Sequence, residues 1–168
     1  MSIIIADASP LIALASIDQL ELLKKLYQQV YIPVTVKNEL KLSSDMAGAK
    51  RLSQAVEDDF LLIKSIDYPK ESYQQLLLIL DKGETEAILL AESFSNHPDY
   101  RFLLIDERKG RLVATQRGLS IAGTGAVLLA AKKHGYIKSV KKELQAMQGI
   151  GYRLSQALQQ RLLELAGE

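Results

Sequence analysis

Two short apolar runs, each ending in aspartate, most constrain how this chain can fold: Ser2-Ile3-Ile4-Ile5-Ala6-Asp7 and Arg101-Phe102-Leu103-Leu104-Ile105-Asp106. Short apolar runs with little polar alternation predict strands buried on both faces, as in a parallel sheet covered by helices. In open α/β sheets, binding sites form outside the carboxyl ends of the strands. If the two strands are neighbours, Asp7 and Asp106 meet at one sheet edge although they are far apart in sequence.

The intervening sequence supplies the rest of such a fold. Pro10 suits the first turn of a helix that follows Asp7, with Ser9 or Asp7 as its cap. A second helix is expected after Asp18, with Glu21 as its capping-box partner. Val30-Tyr31-Ile32 predicts a strand stopped by Pro33, and Val34–Leu40 a short helix carrying Glu39. Residues 45–57 have the spacing of an amphipathic helix, and Phe60–Ile63 that of a strand. Helices are predicted over Ser72–Leu80 and from about Glu84 to Phe94, separated by Asp81-Lys82-Gly83. A basic helix follows Asp106, then an edge strand near Leu119–Ala122. Gly123-Thr124-Gly125 opens a helix to His134, and two more helices flank Gly149-Ile150-Gly151. Alternating strands and helices predict a three-layer α/β/α fold with a parallel sheet of about five strands. The expected organisation is a main domain over residues 1–137, with a helical extension over 138–168 packed on it.

Composition excludes several function classes. With no cysteine, the chain has neither disulfides nor thiolate metal sites, which fits a reducing, cytoplasmic location. There is no signal-peptide pattern and no apolar run of membrane-spanning length. The net charge is only +1, but it is unevenly spread. Residues 1–100 carry 9 Lys+Arg against 15 Asp+Glu, whereas residues 101–142 carry 10 against 2. An acidic first part suits a cation, and the basic stretch, with Arg108, Lys109, Arg111 and Arg117, suits a polyanion or a solvated helix face.

Asp7, Glu39, Glu84, Glu86 and Asp106 are the candidate site. Crowded carboxylates repel and are stabilised by a hard divalent cation with oxygen preference, Mg²⁺ or Mn²⁺. Each also has a local alternative. Asp7 and Asp106 can cap the helices that follow them, and Glu84 can close a capping box with Asp81. Glu86 has Leu89 and Leu90 at helical spacing, so on an apolar face it needs a partner or a metal, which favours it over Glu84 as a ligand. His97 and His134 lack metal-ligand spacing and are expected on the surface. No histidine is placed to activate Ser9.

Five blocks in order resemble the PIN-domain superfamily, and most closely its uncharacterised prokaryotic branch of predicted nucleic-acid-binding proteins. They are Ile5–Ile12, Ile32-Pro33 through Glu39-Leu40, Gly83–Ile88, Ile105–Arg111 and Gly123-Thr124, within about residues 3–137. The resemblance implies a Mg²⁺- or Mn²⁺-dependent ribonuclease that cleaves single-stranded or structured RNA. By position, Asp7, Glu39, Glu86 and Asp106 would be its acidic set, with Glu84 an additional metal ligand and Ser9 and Thr124 supporting hydroxyls. Many relatives are toxins of toxin–antitoxin pairs silenced by a small partner protein, and relatives commonly form homodimers. A PIN module that binds nucleic acid or a partner without cutting is the alternative. Ala8 and Glu107 depart from the branch's usual hydroxyl and second aspartate. The helices after residue 139 lie beyond the resemblance and could cover the site, form a dimer surface or bind a partner.

Overall fold

In the computed structural model, which describes residues 1–168, strands and helices alternate. The order is β1 (Ile3–Ala6), α1 (Ala8–Ser16), α2 (Glu21–Leu26), β2 (Gln29–Ile32), α3 (Val34–Glu39), α4 (Ala49–Glu57), β3 (Leu61–Ile63) and α5 (Lys70–Leu77). It continues with α6 (Lys82–Phe94), β4 (Tyr100–Leu104), α7 (Arg108–Gln116), β5 (Ile121–Ala122), α8 (Thr124–Lys133), α9 (Val140–Gly149) and α10 (Gln156–Ala166). The five strands form one sheet in the order β3-β2-β1-β4-β5, all parallel. This is the three-layer α/β/α fold expected from the sequence.

Every residue of β1 is buried because side chains leave a strand alternately to two covered faces. Ile4 and Ala6 enter the larger core, with Val30, Ile32, Leu104 and residues of α1, α2, α4, α8 and α9. Ile3 and Ile5 enter the second core, with Leu103, Ile105 and residues of α6 and α7. The chain winds outward from β1 to β2 and β3 on one side, and β4 and β5 extend the other. The order therefore switches between β1 and β4, where the carboxyl ends of adjacent strands leave a crevice. Ala6 lies opposite Leu104, and the Asp7 N–H donates to the Leu104 carbonyl at 2.9 Å, which carries the pairing to the crevice.

Several element boundaries differ from expectation for local reasons. The helix expected from residue 45 begins at Ala49, because Gly48 adopts a left-handed conformation (φ +84°) and packs its backbone against Ala15. Asp18 does not cap α2. Its own φ is +62°, Leu20 holds the cap position, and the Asp18 carboxylate instead pairs with Arg51 at 2.8 Å. Lys82 and Gly83 do not separate two helices but form the first turn of α6, with Asp81 as its cap.

The last two helices join the main core through Val140, Leu144, Met147 and Leu162. Within α10, Leu162 is buried, whereas Leu158 and Leu165 are exposed. Leu162 lies where a side chain on Gly125 would sit, so glycine at the start of α8 lets α10 approach. Glu168 fastens the end of the chain, accepting from Ser139 Oγ (2.7 Å), Val140 N (2.7 Å) and Lys132 Nζ (2.9 Å). These donors hold its carboxyl down at about 2. No helix is long and apolar enough to cross a membrane.

Candidate active site at the carboxyl edge of the sheet

Asp7 leaves the end of β1 and is only 5% exposed. It occupies the cap position of α1, yet its side chain makes no capping hydrogen bond there, so the local role does not consume it. Burial raises its carboxyl to about 7, only partly offset by the Ala8 amide, and Glu39, Asp81 and Asp106 push in the same direction.

Glu39 ends α3, and its carboxylate lies over the α-carbon of Gly83. A Cβ on Gly83 would stand 2.5 Å from Glu39 Oε1 and 2.7 Å from Oε2. Burial raises Glu39, and Asp81, Glu84 and Glu86 raise it further. Glu39 thus joins the β1 edge to the start of α6. Replacement of Gly83 by alanine should therefore displace the Glu39 carboxylate without harming the helix. Alanine is favoured over glycine in a helix by about 1 kcal/mol, and an ångström of misplacement at a catalytic group can cost about a hundredfold in rate. Lower activity at unchanged or higher melting temperature is the expected outcome for Gly83→Ala; unchanged activity would remove Glu39 from the site.

The two glutamates of α6 have different surroundings. Glu84 completes a capping box: its amide donates to Asp81 Oδ1 at 2.8 Å, and its Oε2 accepts from the Asp81 amide at 3.1 Å. Burial raises its carboxyl to about 7, with Asp81, Asp7 and Glu107 contributing after the opposing Asp81 amide. Glu86 is 5% exposed, and its Oε2 accepts hydrogen bonds from Tyr73 (2.6 Å) and Thr35 (2.7 Å). The partner that an apolar-face glutamate requires is this pair of hydroxyls. Both fall on one oxygen and leave Oε1 uncommitted.

Asp106 does not cap α7. Glu107 does so, accepting from the Gly110 amide at 2.7 Å. Asp106 instead receives the Thr124 amide at 2.7 Å on Oδ1, with the hydroxyls of Thr124 and Tyr152 on Oδ2. Its Oδ1 also lies 2.7 Å from where a Cβ on Gly123 would stand, so glycine lets the start of α8 close on it. The Thr124 hydroxyl thus reaches Asp106, while Ser9 is exposed on the first turn of α1. Asp81 and Tyr152 were not legible as site residues. Asp81 was visible only as a helix cap, and Tyr152 lies in a polar segment with no periodic signal.

Of the basic residues, Arg108 and Lys109 are exposed at the start of α7. Arg111 donates to the Ile105 carbonyl at 2.8 Å and braces the turn that carries Asp106. Arg117 is committed elsewhere, to a two-point ion pair with Glu92 of α6. His97 and His134 are both exposed.

A family model described as a PIN domain matches residues 3–168. The chain belongs to the PIN-domain family. No curated protein matches it. The PIN fold is a nuclease-type fold, and the acidic crevice lies where its parallel sheet switches order. The match continues past residue 137 through α9 and α10.

The donor set fits a hard divalent cation in its chemistry: all-oxygen, with Asp7, Glu84 and Glu86 buried and Glu39 and Asp106 half-buried, and with hydroxyl donors behind two of the carboxylates. No three of these side chains converge on one point at metal-holding spacing.

Proposed function

We propose that this PIN domain is a metal-dependent endoribonuclease, hydrolysing RNA phosphodiester bonds at Asp7, Glu39, Glu86 and Asp106, with Glu84 beside them. One observation carries this reading. Carboxylates from β1, α3, α6 and the end of β4 gather at the switch point of a nuclease-type fold, and burial and neighbouring acids hold Asp7 and Glu84 up at about 7.

Asp7, Asp106, Glu84 and Glu86 would hold Mg²⁺ or Mn²⁺, which lowers the pKa of water and neutralises charge on a scissile phosphate. Thr124 and Tyr152 orient Asp106, while Tyr73 and Thr35 orient Glu86, so each keeps its direction without the others. Asp7, raised by burial to about 7, is suited to exchange a proton near neutral pH, and burial raises Glu39 in the same direction. Arg108 and Lys109 flank Asp106 on the exposed side, where the RNA phosphates would lie.

The test is cleavage of a labelled single-stranded RNA with Mn²⁺, with Mg²⁺ and with EDTA. Cleavage with either metal and none with EDTA is expected. The same site would suit a toxin of a toxin–antitoxin pair, silenced by a small protein that covers the acidic edge. Growth arrest on expression in a host, relieved by such a partner, is the corresponding result.

The hydrogen bonds that occupy both Asp106 oxygens favour a second reading, a PIN module that binds nucleic acid or a protein partner without cutting. Salt-sensitive RNA binding without metal-dependent cleavage would select it.

A further inference from the structure

The segment between α9 and α10 folds back over the sheet edge. The Tyr152 hydroxyl donates to Asp106, which ties the segment to the acidic crevice. The next residue, Arg153, thereby enters a groove that also contains Asp106, Arg108, Arg111, Leu154 and Leu158. Two of the guanidiniums come from α7 and the third from a segment more than forty residues later. None of the three forms an ion pair with a carboxylate, although Arg51, Arg117 and Arg161 elsewhere in the chain do. Three cations without carboxylate partners around one groove repel one another, and an anion bound between them would relieve that repulsion.

We infer that Arg153 is a substrate-binding residue, which with Arg108 and Arg111 takes a backbone phosphate of a single RNA strand passing Asp106. This rests on the ribonuclease reading and adds to it the C-terminal segment as one wall of the substrate path. Guanidinium groups bind phosphate oxygens in a two-point geometry that suits this role. Leu154 and Leu158 provide an apolar side against which a base or ribose can lie, and the open groove joins Asp106 directly. A nucleic-acid strand accounts for both features, since it presents phosphate and apolar base faces in alternation and must pass the acidic site to be cut. Tyr152 is a positioning residue: it fixes the segment by its bond to Asp106.

The test measures binding of a fluorescein-labelled oligouridylate in EDTA, where no cleavage occurs, over a range of salt concentrations. Removing one cation that neutralises a phosphate reduces the slope of log affinity against log salt by about 0.7 for a single strand. Arg153→Ala should weaken binding about tenfold and lower the slope by about that amount. Arg161→Ala, which removes the same charge from the exposed side of α10, should leave both unchanged. Arg153 is exposed, so the fold is retained, and a thermal melt of each variant checks this.

Wild-type affinity and slope in Arg153→Ala would overturn the inference, as would an equal weakening in Arg161→Ala. Displacement of the RNA by a decaglutamate peptide with equal strength would assign the groove to an acidic protein and overturn it too. Failure of the ribonuclease reading is distinguishable, because the wild-type protein would then bind RNA without cutting it when Mn²⁺ is supplied.

Discussion

Asp7→Asn should abolish Mn²⁺-dependent RNA cleavage, with a fall of about three orders of magnitude, equivalent to roughly 4 kcal/mol of transition-state stabilisation. The fold should survive, because the change preserves the shape of a buried side chain that makes no capping bond in α1. What disappears is a negative oxygen at the end of the central strand. Burial, with the nearby charges of Glu39, Asp81 and Asp106, raises the Asp7 carboxyl to about 7. Far-ultraviolet circular dichroism and a melt at the same pH separate this from unfolding. Cleavage by the Asp7→Asn variant within tenfold of wild type would sink the catalytic assignment of the acidic edge.

The same burial and crowding should make the protein less stable at neutral pH and above than in mild acid. Asp7 has a folded pKa raised from 3.8 to about 7, so between those values the native state holds more protons than the unfolded chain. Stability from this group is therefore full below about pH 4 and declines as pH rises towards about 7. At 1.36 kcal/mol per pKa unit, the cost above pH 7 is roughly 4 kcal/mol for Asp7. Glu84 and Glu39 act in the same direction. Glu168 acts oppositely: its carboxyl is held down at about 2, so its contribution is present above its unfolded value and lost as pH falls towards 2.

The expected profile is thus a maximum at about pH 4 to 5, a decline through about pH 7 and little change above it. Adding millimolar Mn²⁺ should raise the melting temperature at ~pH 8 and much less at ~pH 5, where the carboxyls hold protons. Asp7→Asn should also melt higher than wild type at ~pH 8, with the gain disappearing near ~pH 4. Such a gain at the expense of activity is common where a site is built from groups that destabilise the fold. Chemical denaturation at several pH values, with and without Mn²⁺, checks all three. Stability greatest at ~pH 8 without metal would show that the carboxylates are not crowded as described.

Glu86 and Arg117 show how far residue type reads through to role. Glu86 on an apolar helix face demanded a partner, and it has one, but Tyr73 and Thr35 come from two other elements that no helical spacing indicates. Arg117 holds the C-terminal cap position of the helix that carries Arg108 and Arg111 and shares their charge, yet Glu92 lies within reach and pairs with its guanidinium at two points. Charge counting along the sequence assigns such residues to one basic face. Only the fold separates them: Arg117 ties to Glu92, Arg111 braces the Ile105 carbonyl, and Arg108 lies exposed.

From sequence alone came the strands, the parallel sheet, the placing of Asp7 and Asp106 at its carboxyl edge, and Glu39, Glu84 and Glu86 as candidates to join them. These follow from local physics: burial on both faces makes a strand uniformly apolar, and its first polar residue marks the sheet edge. Tertiary structure alone placed Asp81 beside the site and brought Tyr152 onto Asp106 and Arg153 beside Arg108 and Arg111. Those pairings join elements with no shared periodicity. They depend on how the C-terminal helices pack, through Leu162 against the small surface of Gly125, and a one-dimensional pattern does not encode that approach.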